Sequence, residues 1–284
     1  MKMVTTAAEL RSVLAGLAKG STIGFVPTMG ALHEGHLALV RQSLQQCDTT
    51  VVSIFVNPTQ FGPNEDFDRY PRVLEADLAL LKTEKVDVVF TPSVASLYPK
   101  GIANATRIEV PKLSKKLCGK TRKHFFRGVA MVVMRLLSIV RPTQLFLGEK
   151  DFQQCRVLQT LVNDLFLPVS VEIVPIVREQ DGLAMSSRNR YLSQVERETA
   201  AQIYATLVWM AQEVLSGNLA AGPITTAGKM RLSSAGVVVD YLAIVSDKTL
   251  NPCAHPTAES RIVFAGYVGK TRLIDNLKVA HVSR

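Results

Sequence analysis

Cysteine is scarce in this sequence, and the cysteines that occur stand far apart. They are Cys47, Cys118, Cys155 and Cys253. Structural zinc sites and disulfide frameworks of small secreted domains both rely on cysteines at short, ordered spacings, and none is present here. We therefore expect reduced, mostly structural thiols and no redox chemistry.

Long hydrophobic runs are also missing. No apolar run approaches the roughly 20 residues that a membrane-spanning helix needs. The first dozen residues include Glu9 and Arg11 and lack the apolar centre of a signal peptide. With 284 residues, 47% of them hydrophobic, the chain can still form one large or two ordinary globular domains. We expect a cytoplasmic protein with no membrane partner.

Acidic residues are outnumbered, since 24 Asp and Glu face 33 Lys and Arg for a net charge of +9. The densest basic stretch, residues 112–124, is not accompanied by an aromatic stacking pattern or a recognition-helix signature. A solvated basic face is the ordinary interpretation of such a stretch. We predict no nucleic-acid partner, because a small polyanionic substrate explains the surplus of positive charge with fewer assumptions.

Strand-like and helix-like patterns alternate through the first part of the chain. The strand-like runs are residues 21–26, 49–56, 86–90 and 144–147. Their alternation with amphipathic helices is typical of a doubly wound parallel sheet, a Rossmann-like α/β fold whose ligands lie at the carboxyl ends of the strands. Two helices and three further strand-like runs then predict a smaller C-terminal α+β domain. We place the domains at residues 1–176 and 177–284.

The decapeptide Pro27–His36 follows the first of these strands and contains two of the five histidines. His33 and His36 are three positions apart, whereas the helical zinc-protease motif needs four with a glutamate between. We therefore predict a strand-to-helix turn, with the helix beginning near His36, rather than a zinc site. Gly30 and Gly35 permit close backbone approach, and the amides of a helix start attract phosphate. Ordinary surface or packed histidines are the alternative.

Polar residues follow later strands in the same way. Asn57 and Gln60 come after the second strand, and Gly148–Asp151 comes after another. Lys150 beside a helix start repels the positive end of the helix dipole unless an anion lies between them, which favours a phosphate ligand over a simple helix cap. The polar segment 177–191 is predicted to be a functional loop. Because the chain has neither a P-loop nor a Gly-x-Gly-x-x-Gly fingerprint, a nucleotide site would use the histidine turn.

Taken in order, these motifs resemble the pantoate-beta-alanine ligase family of the HIGH and KMSKS nucleotidylyltransferase superfamily. The matching stretches are PTMGALHEGH (27–36), SIFVNP (53–58), QF (60–61), GEKDFQQ (148–154), DGLAMSSRN (181–189) and TRLIDN (271–276). The resemblance implies a ligase that condenses pantoate with beta-alanine to pantothenate and converts ATP to AMP and pyrophosphate. A pantoyl adenylate would be the intermediate. It further implies ATP as a substrate and a homodimer.

The resemblance also implies individual roles. The catalytic residues would be His33, His36, Lys150, Ser187 and Arg188, with His36 as proton donor. The ATP-binding residues would be Met29, Gly30, Ala31, Leu32, His33, Glu34, Gly35, His36, Gly148, Glu149, Lys150, Asp151, Val177, Met185, Ser186, Ser187 and Arg188. Pantoate would be bound by Asn57, Gln60 and Gln154, and beta-alanine by Gln60. Two alternatives remain: a nucleotidylyltransferase that stops after nucleotidyl transfer, and a basic RNA-binding protein that keeps only the fold.

The chain departs from the family pattern in two places. His124 is displaced by one position from the histidine that relatives carry, and it receives no role. Where relatives have an acidic pair that holds magnesium, this chain has Ala76 and Asp77. We therefore expect Mg²⁺ to be carried mainly with ATP and predict no protein ligand for a metal.

Overall fold

The computed structural model describes residues 1–63, 65–217 and 220–282. The chain divides into two compact units, the first comprising Met1–Glu149 with Gln154–Pro175 and the second Lys150–Gln153 with Ile176–Arg284. Among the described residues, no helix has the length and apolar composition that a membrane crossing requires.

A parallel sheet forms the centre of the first unit. Its strands are β1 (Lys2–Val4), β2 (Ile23–Thr28), β3 (Thr49–Ile54), β4 (Val88–Phe90), β5 (Gln144–Gly148) and β6 (Ser170–Val174). In the described residues they pair in the order β1-β4-β3-β2-β5-β6. The direction in which strands are added reverses between β2 and β5, and such switch points are where open α/β sheets bind ligands. The predicted doubly wound fold is confirmed.

Helices flank the strands of this sheet. They are α1 (Ala7–Ala15), α2 (Glu34–Gln46), α3 (Leu74–Thr83), α4 (Val94–Leu97), α5 (Pro111–Ser114), α6 (Cys118–Thr121), α7 (Phe125–Val140) and α8 (Phe152–Asp164). Leu32, Val40 and Leu81 join one buried cluster, so α2 and α3 share a core with the sheet. Gly24 allows α2 to approach β2 closely, because a Cβ there would lie 2.1 Å from Ser43 Oγ.

The second unit is a smaller α+β domain, as predicted. Its elements are α9 (Gln194–Ser216), α10 (Ala221–Ser234), β7 (Val238–Ser246), β8 (Ser260–Val268) and β9 (Thr271–Lys278). In the described residues the strands form an antiparallel sheet in the order β7-β8-β9. The buried Ile203, Leu207 and Phe264 belong to its core. The helix α9 begins with a capping box formed by Ser193 and Glu196.

Some boundaries differ from the sequence-based expectations. The helix α2 begins at Glu34 rather than near His36, because His33 caps it. Pro27 lies within β2 rather than after it; the pairing of β2 with β5 covers only Gly24 and Phe25, so Pro27 lies where β3 alone is a partner. The sequence pattern does not indicate β1, β6 or α1; the two strands have only three and five residues and show no clear period.

Candidate active site

Two histidine rings lie together at the amino end of α2. His33 occupies the N-cap position, where its Nδ1 accepts a hydrogen bond from the Gly35 amide at 3.1 Å. The ring centroids of His33 and His36 are 4.1 Å apart. Both rings are half-buried. Because the helix dipole favours negative charge at this end, the rings and the helix start together form a suitable place for a phosphate.

A buried carboxylate holds the backbone of the turn that leads to these histidines. Asp77 lies on α3 and is 2% exposed. Its Oδ2 accepts the Ala31 amide at 2.9 Å, and its Oδ1 accepts the Leu32 amide at 2.8 Å. The sequence predicts phosphate as the acceptor for the amides of this turn, whereas in the structure these two amides donate to Asp77.

Asp77 is the one acid that this chain keeps at the position where relatives are expected to hold magnesium. Both of its oxygens accept hydrogen bonds from backbone N–H groups, so this carboxylate serves as a hydrogen-bond acceptor for the backbone of the turn. Within the part of the chain that the structure describes, no group of three or more His, Cys, Asp or Glu side chains is placed to hold a metal ion. The structure therefore shows Asp77 bound to the backbone of the turn, and the absence of a protein ligand for magnesium stays a prediction.

Asn57 fixes Gln60 at the carboxyl end of β3. The Asn57 side chain is fully buried; its Nδ2 donates to Gln60 Oε1 at 3.0 Å and to the Gly128 carbonyl at 3.2 Å. The Tyr98 hydroxyl donates to Asn57 Oδ1 at 3.0 Å, and burial raises the pKa of Tyr98, which keeps this donor protonated. Arg122 donates to the Gln60 carbonyl at 3.1 Å. Both the nitrogen and the oxygen of the Asn57 side-chain amide thus have protein partners, and this amide orients Gln60.

The segment after β5 continues into a short 3-10 turn, Glu149–Asp151, before α8 begins. Lys150 is half-buried, and its Nζ lies 3.8 Å from Asp151 Oδ2. The Lys150 carbonyl accepts a hydrogen bond from Asn276 Nδ2 at 3.1 Å, within the second unit. Gln154 is half-buried in the first turn of α8. Asn276 therefore fixes the backbone from which the Lys150 side chain extends.

The polar segment at the start of the second domain forms a small hairpin followed by a 3-10 helix. The Met185 amide donates to the Val177 carbonyl at 3.0 Å, and Arg178 and Ala184 form an antiparallel bridge. Ser186 caps the 3-10 helix Ser187–Tyr191, since its Oγ accepts the Arg188 amide at 3.3 Å. Consecutive hydroxyl and guanidinium side chains at a helix start suit the binding of a phosphate.

An ion pair within the second unit attaches this hairpin to β9. The Arg178 guanidinium donates to both oxygens of Asp275, at 2.8 and 2.9 Å, and to the Gly182 carbonyl at 3.0 Å. It also lies 3.7 Å from the centre of the Tyr204 ring. Burial raises the pKa of Asp275, and Arg178 opposes that shift. The position of the Ser186–Arg188 segment therefore depends on a largely buried charge pair.

The structure brings several predicted residues together within each unit. His33 lies beside His36, Asn57 beside Gln60, and Val177 beside Met185. The structure adds residues that the sequence analysis gave no role: Tyr98, Arg178, Asp275 and Asn276. Three of them have a signal in the sequence, because Arg178 falls in the polar segment 177–191 and Asp275 and Asn276 fall in the TRLIDN stretch; Tyr98 has none. His124 is exposed at the start of α7, with its Nδ1 3.0 Å from Arg127 Nη2.

The contribution of the Arg178–Asp275 pair can be tested by measuring the stability of the second unit. We expect Asp275→Ala to lower the free energy of unfolding of the second unit by about 3 kcal/mol, because it leaves a guanidinium buried without its counter-charge. Denaturant unfolding followed by Trp209 fluorescence reports on this unit, since Trp209 is the only tryptophan and packs against its core.

Glu259→Ala is the matched control. Glu259 pairs with Lys278 at 2.9 Å, but its side chain is 79% exposed. Its loss should cost about 1 kcal/mol or less. Equal losses in the two variants would contradict the structural importance of the Arg178–Asp275 pair.

Comparisons with known proteins show which family this chain resembles over its length. A family profile described as pantoate-beta-alanine ligase matches residues 2–278. The pantothenate synthetase of Alcanivorax borkumensis is 45% identical over 283 residues, which cover 99% of each chain. A crystal structure of pantothenate synthetase from Thermus thermophilus superposes with a TM-score of 0.92 at 46% identity, covering 98% of this chain and 99% of that one.

A further solved structure includes ligands. The pantoate-beta-alanine ligase from Francisella tularensis, described as complexed with beta-gamma ATP and beta-alanine, has a TM-score of 0.81 at 38% identity, covering 99% of this chain and 98% of that chain. The similarity extends across both units rather than across the parallel sheet alone. The predicted ligase class is thereby confirmed, and this chain belongs to the pantoate-beta-alanine ligase family.

Proposed function

We propose that this protein joins pantoate to beta-alanine at the expense of ATP, which it converts to AMP and pyrophosphate, through a pantoyl adenylate. The observation that carries the proposal is the pair of histidine rings at the amino end of α2, at the switch point of the parallel sheet. Family membership along residues 2–278 supports the substrate assignment. The ATP and beta-alanine named for the Francisella tularensis ligase support it independently.

In the first step, a carboxylate oxygen of pantoate attacks the α-phosphorus of ATP. A new P–O bond forms, the bond to the β-phosphate oxygen breaks, and pyrophosphate leaves. This reaction needs alignment and stabilisation of charge on phosphoryl oxygens more than covalent help. We assign His33 and His36 to this stabilisation, with His36 as the proton donor, because both rings lie where the dipole of α2 already favours an anion.

Further groups are proposed to bind the β- and γ-phosphates. We assign this role to Lys150, Ser186, Ser187 and Arg188. The carbonyl of Lys150 is fixed by Asn276, and Ser186 caps the 3-10 helix that carries Ser187 and Arg188. Cations and hydroxyls that are already held in place stabilise the leaving pyrophosphate without reorganising during the reaction.

In the second step, the amine of beta-alanine attacks the acyl carbon. The C–N bond forms, the bond between acyl carbon and AMP oxygen breaks, and the amine loses its proton. We assign Gln60 to both pantoate and beta-alanine, because an amide both donates and accepts hydrogen bonds. Gln154 is assigned to pantoate. Asn57 is assigned a supporting role, since its own amide orients Gln60 and contacts the Gly128 carbonyl.

Further ATP contacts are assigned to the remaining predicted residues. They are Met29, Gly30, Glu34, Gly35, Gly148, Glu149, Asp151, Val177 and Met185. Ala31 and Leu32 contribute through the shape of the turn, because their amides donate to Asp77. We propose that Mg²⁺ arrives on the phosphates of ATP. A homodimer remains a prediction from the family resemblance, and a cytoplasmic location remains a prediction from the sequence pattern.

Product analysis tests the proposed function. With ATP, Mg²⁺, pantoate and beta-alanine, we expect AMP and pantothenate in equal amounts, with steady formation of both dependent on beta-alanine. A nucleotidylyltransferase that stops after nucleotidyl transfer would make no pantothenate. Absence of AMP, or AMP formation that ignores beta-alanine, would contradict the ligase assignment.

The phosphate site is tested by His36→Ala and Lys150→Ala. We expect each to lower kcat at least about a hundredfold, as loss of a group that stabilises phosphoryl charge typically does. His255→Ala and Lys270→Ala are matched controls, because both residues are exposed and lie outside the motifs of the site. Circular dichroism and thermal unfolding check that all four variants fold. Near-normal turnover in both site variants would show that the phosphates bind elsewhere.

A further inference from the structure

The turn between β2 and α2 has an unusual backbone. Gly30 has φ +81° and Ala31 has φ +51°, both in the left-handed region. Glycine adopts this region freely, but it is unfavourable for alanine and persists only when surrounding groups enforce it. Ala31 is fully buried, so its amide needs an acceptor inside the protein. Some protein group must therefore stabilise this conformation.

Asp77 is placed to do so. Its two carboxylate oxygens accept the amides of Ala31 and Leu32 at 2.9 and 2.8 Å, immediately before the histidine pair. A carboxylate that accepts two buried N–H groups makes strong, directional contacts. The carboxylate also leaves no space for a side chain at Gly30, where a Cβ would lie 2.9 Å from Asp77 Oδ2. The backbone of the turn and the Asp77 carboxylate thus fit closely against each other.

The turn and the helix α3, which carry the two partners of this contact, are each held in place by other contacts. On one side, Thr28 Oγ1 donates to the Ser53 carbonyl at 2.8 Å and accepts the Gly30 amide at 3.2 Å, which ties the turn to β3. On the other side, the fully buried Leu81 on α3 packs into the same cluster as Leu32. Because α3 is fixed in the core, the position of the carboxylate is fixed as well.

We propose that Asp77 is a positioning residue for ATP binding and adenylate formation: through the Ala31 and Leu32 amides, its carboxylate holds the turn that presents His33 and His36. The inference rests on the proposed function, in which ATP phosphates occupy the histidine site. Asp77 itself touches neither the substrate nor the reacting atoms. Its negative charge lies near the proposed phosphate site, and its hydrogen bonds fix the backbone conformation of the turn.

Two other roles for Asp77 would change ATP binding and the Mg²⁺ requirement differently when the carboxylate is removed. If Asp77 were merely a negative charge near the phosphates, its neutralisation would tighten ATP binding. If it were a magnesium ligand, its loss would raise the Mg²⁺ concentration needed for half-maximal rate. A positioning role predicts weaker ATP binding and slower adenylate formation with an unchanged Mg²⁺ requirement.

The experiment compares Asp77→Asn and Asp77→Ala with the unmodified protein. Binding of a non-hydrolysable ATP analogue is measured by calorimetry, and adenylate formation by pantoate-dependent pyrophosphate release in a single turnover without beta-alanine. We expect Asp77→Asn to weaken analogue binding and slow adenylate formation by about tenfold or more, because small displacements of reacting groups are costly. Asp77→Ala should lose more, since it removes both acceptors. The KM for beta-alanine and the Mg²⁺ requirement should stay within about twofold of their original values, because the turn contributes to the phosphate site alone.

Asp87→Asn is the matched control. The Asp87 carboxylate accepts the Thr50 amide at 2.8 Å at the beginning of β3, away from the turn, so this variant should keep full activity. Asp77→Asn keeps the size and shape of the side chain, so it remains the test if Asp77→Ala does not fold.

Tighter analogue binding, a raised Mg²⁺ requirement, or full activity in Asp77→Asn would each overturn the inference. If the unmodified protein binds the analogue but makes no pantothenate, the proposed function fails while the effect of Asp77 on analogue binding can still be measured. If the unmodified protein makes pantothenate and Asp77→Asn does so equally well, the inference fails while the proposed function stands.

Discussion

The short connection between β2 and α2 is the constraint on which the candidate active site depends. Within five residues the chain must leave a central strand of the parallel sheet and start a helix with its amino end toward the switch point. It does so through a left-handed Gly30 and Ala31, and a buried carboxylate secures the result. Because His33 then caps α2, the side chain that ends the turn also stands at the positive end of the helix dipole.

Buried polar contacts recur behind the functional side chains. Asp77 holds the histidine turn, Asn57 orients Gln60, and Arg178 with Asp275 fixes the hairpin before Ser186. Asp77, Asn57 and Asp275 are buried and Arg178 is partly buried, so these hydrogen bonds are largely protected from competition with water. Catalysis of phosphoryl transfer by positioning and charge needs this rigidity, because the protein contributes little covalent chemistry to the reaction.

Much of this arrangement could be predicted from the sequence. The alternation of strand-like and helix-like runs indicated the doubly wound fold, and the ordered motifs indicated the family, because these signals are local or contiguous. The acceptors of the turn amides could not be predicted in this way. Asp77 lies 45 and 46 positions from the residues it holds, and Arg178 lies 97 positions from Asp275. Such contacts are set by the packing of α3 and β9, which no local pattern encodes.

The helix boundary at His33 shows a second limit. Histidine is not among the usual N-cap residues, so the periodic apolar positions of α2 placed its start too late. The Nδ1 of His33 replaces the expected serine or aspartate oxygen as acceptor for the Gly35 amide. The histidine that we assign to phosphate binding thus also performs the structural task of a cap, and the local rule failed at a proposed site residue.

The central claim is that the carboxylate of pantoate is activated on the α-phosphate of ATP before the amide bond forms. The most direct measurement uses pantoate labelled with ¹⁸O in both carboxylate oxygens, followed by mass spectrometry of the products. Activation as an adenylate predicts that AMP acquires one labelled oxygen and that the pantothenate amide keeps the other. AMP without the label, formed together with pantothenate, would contradict the account.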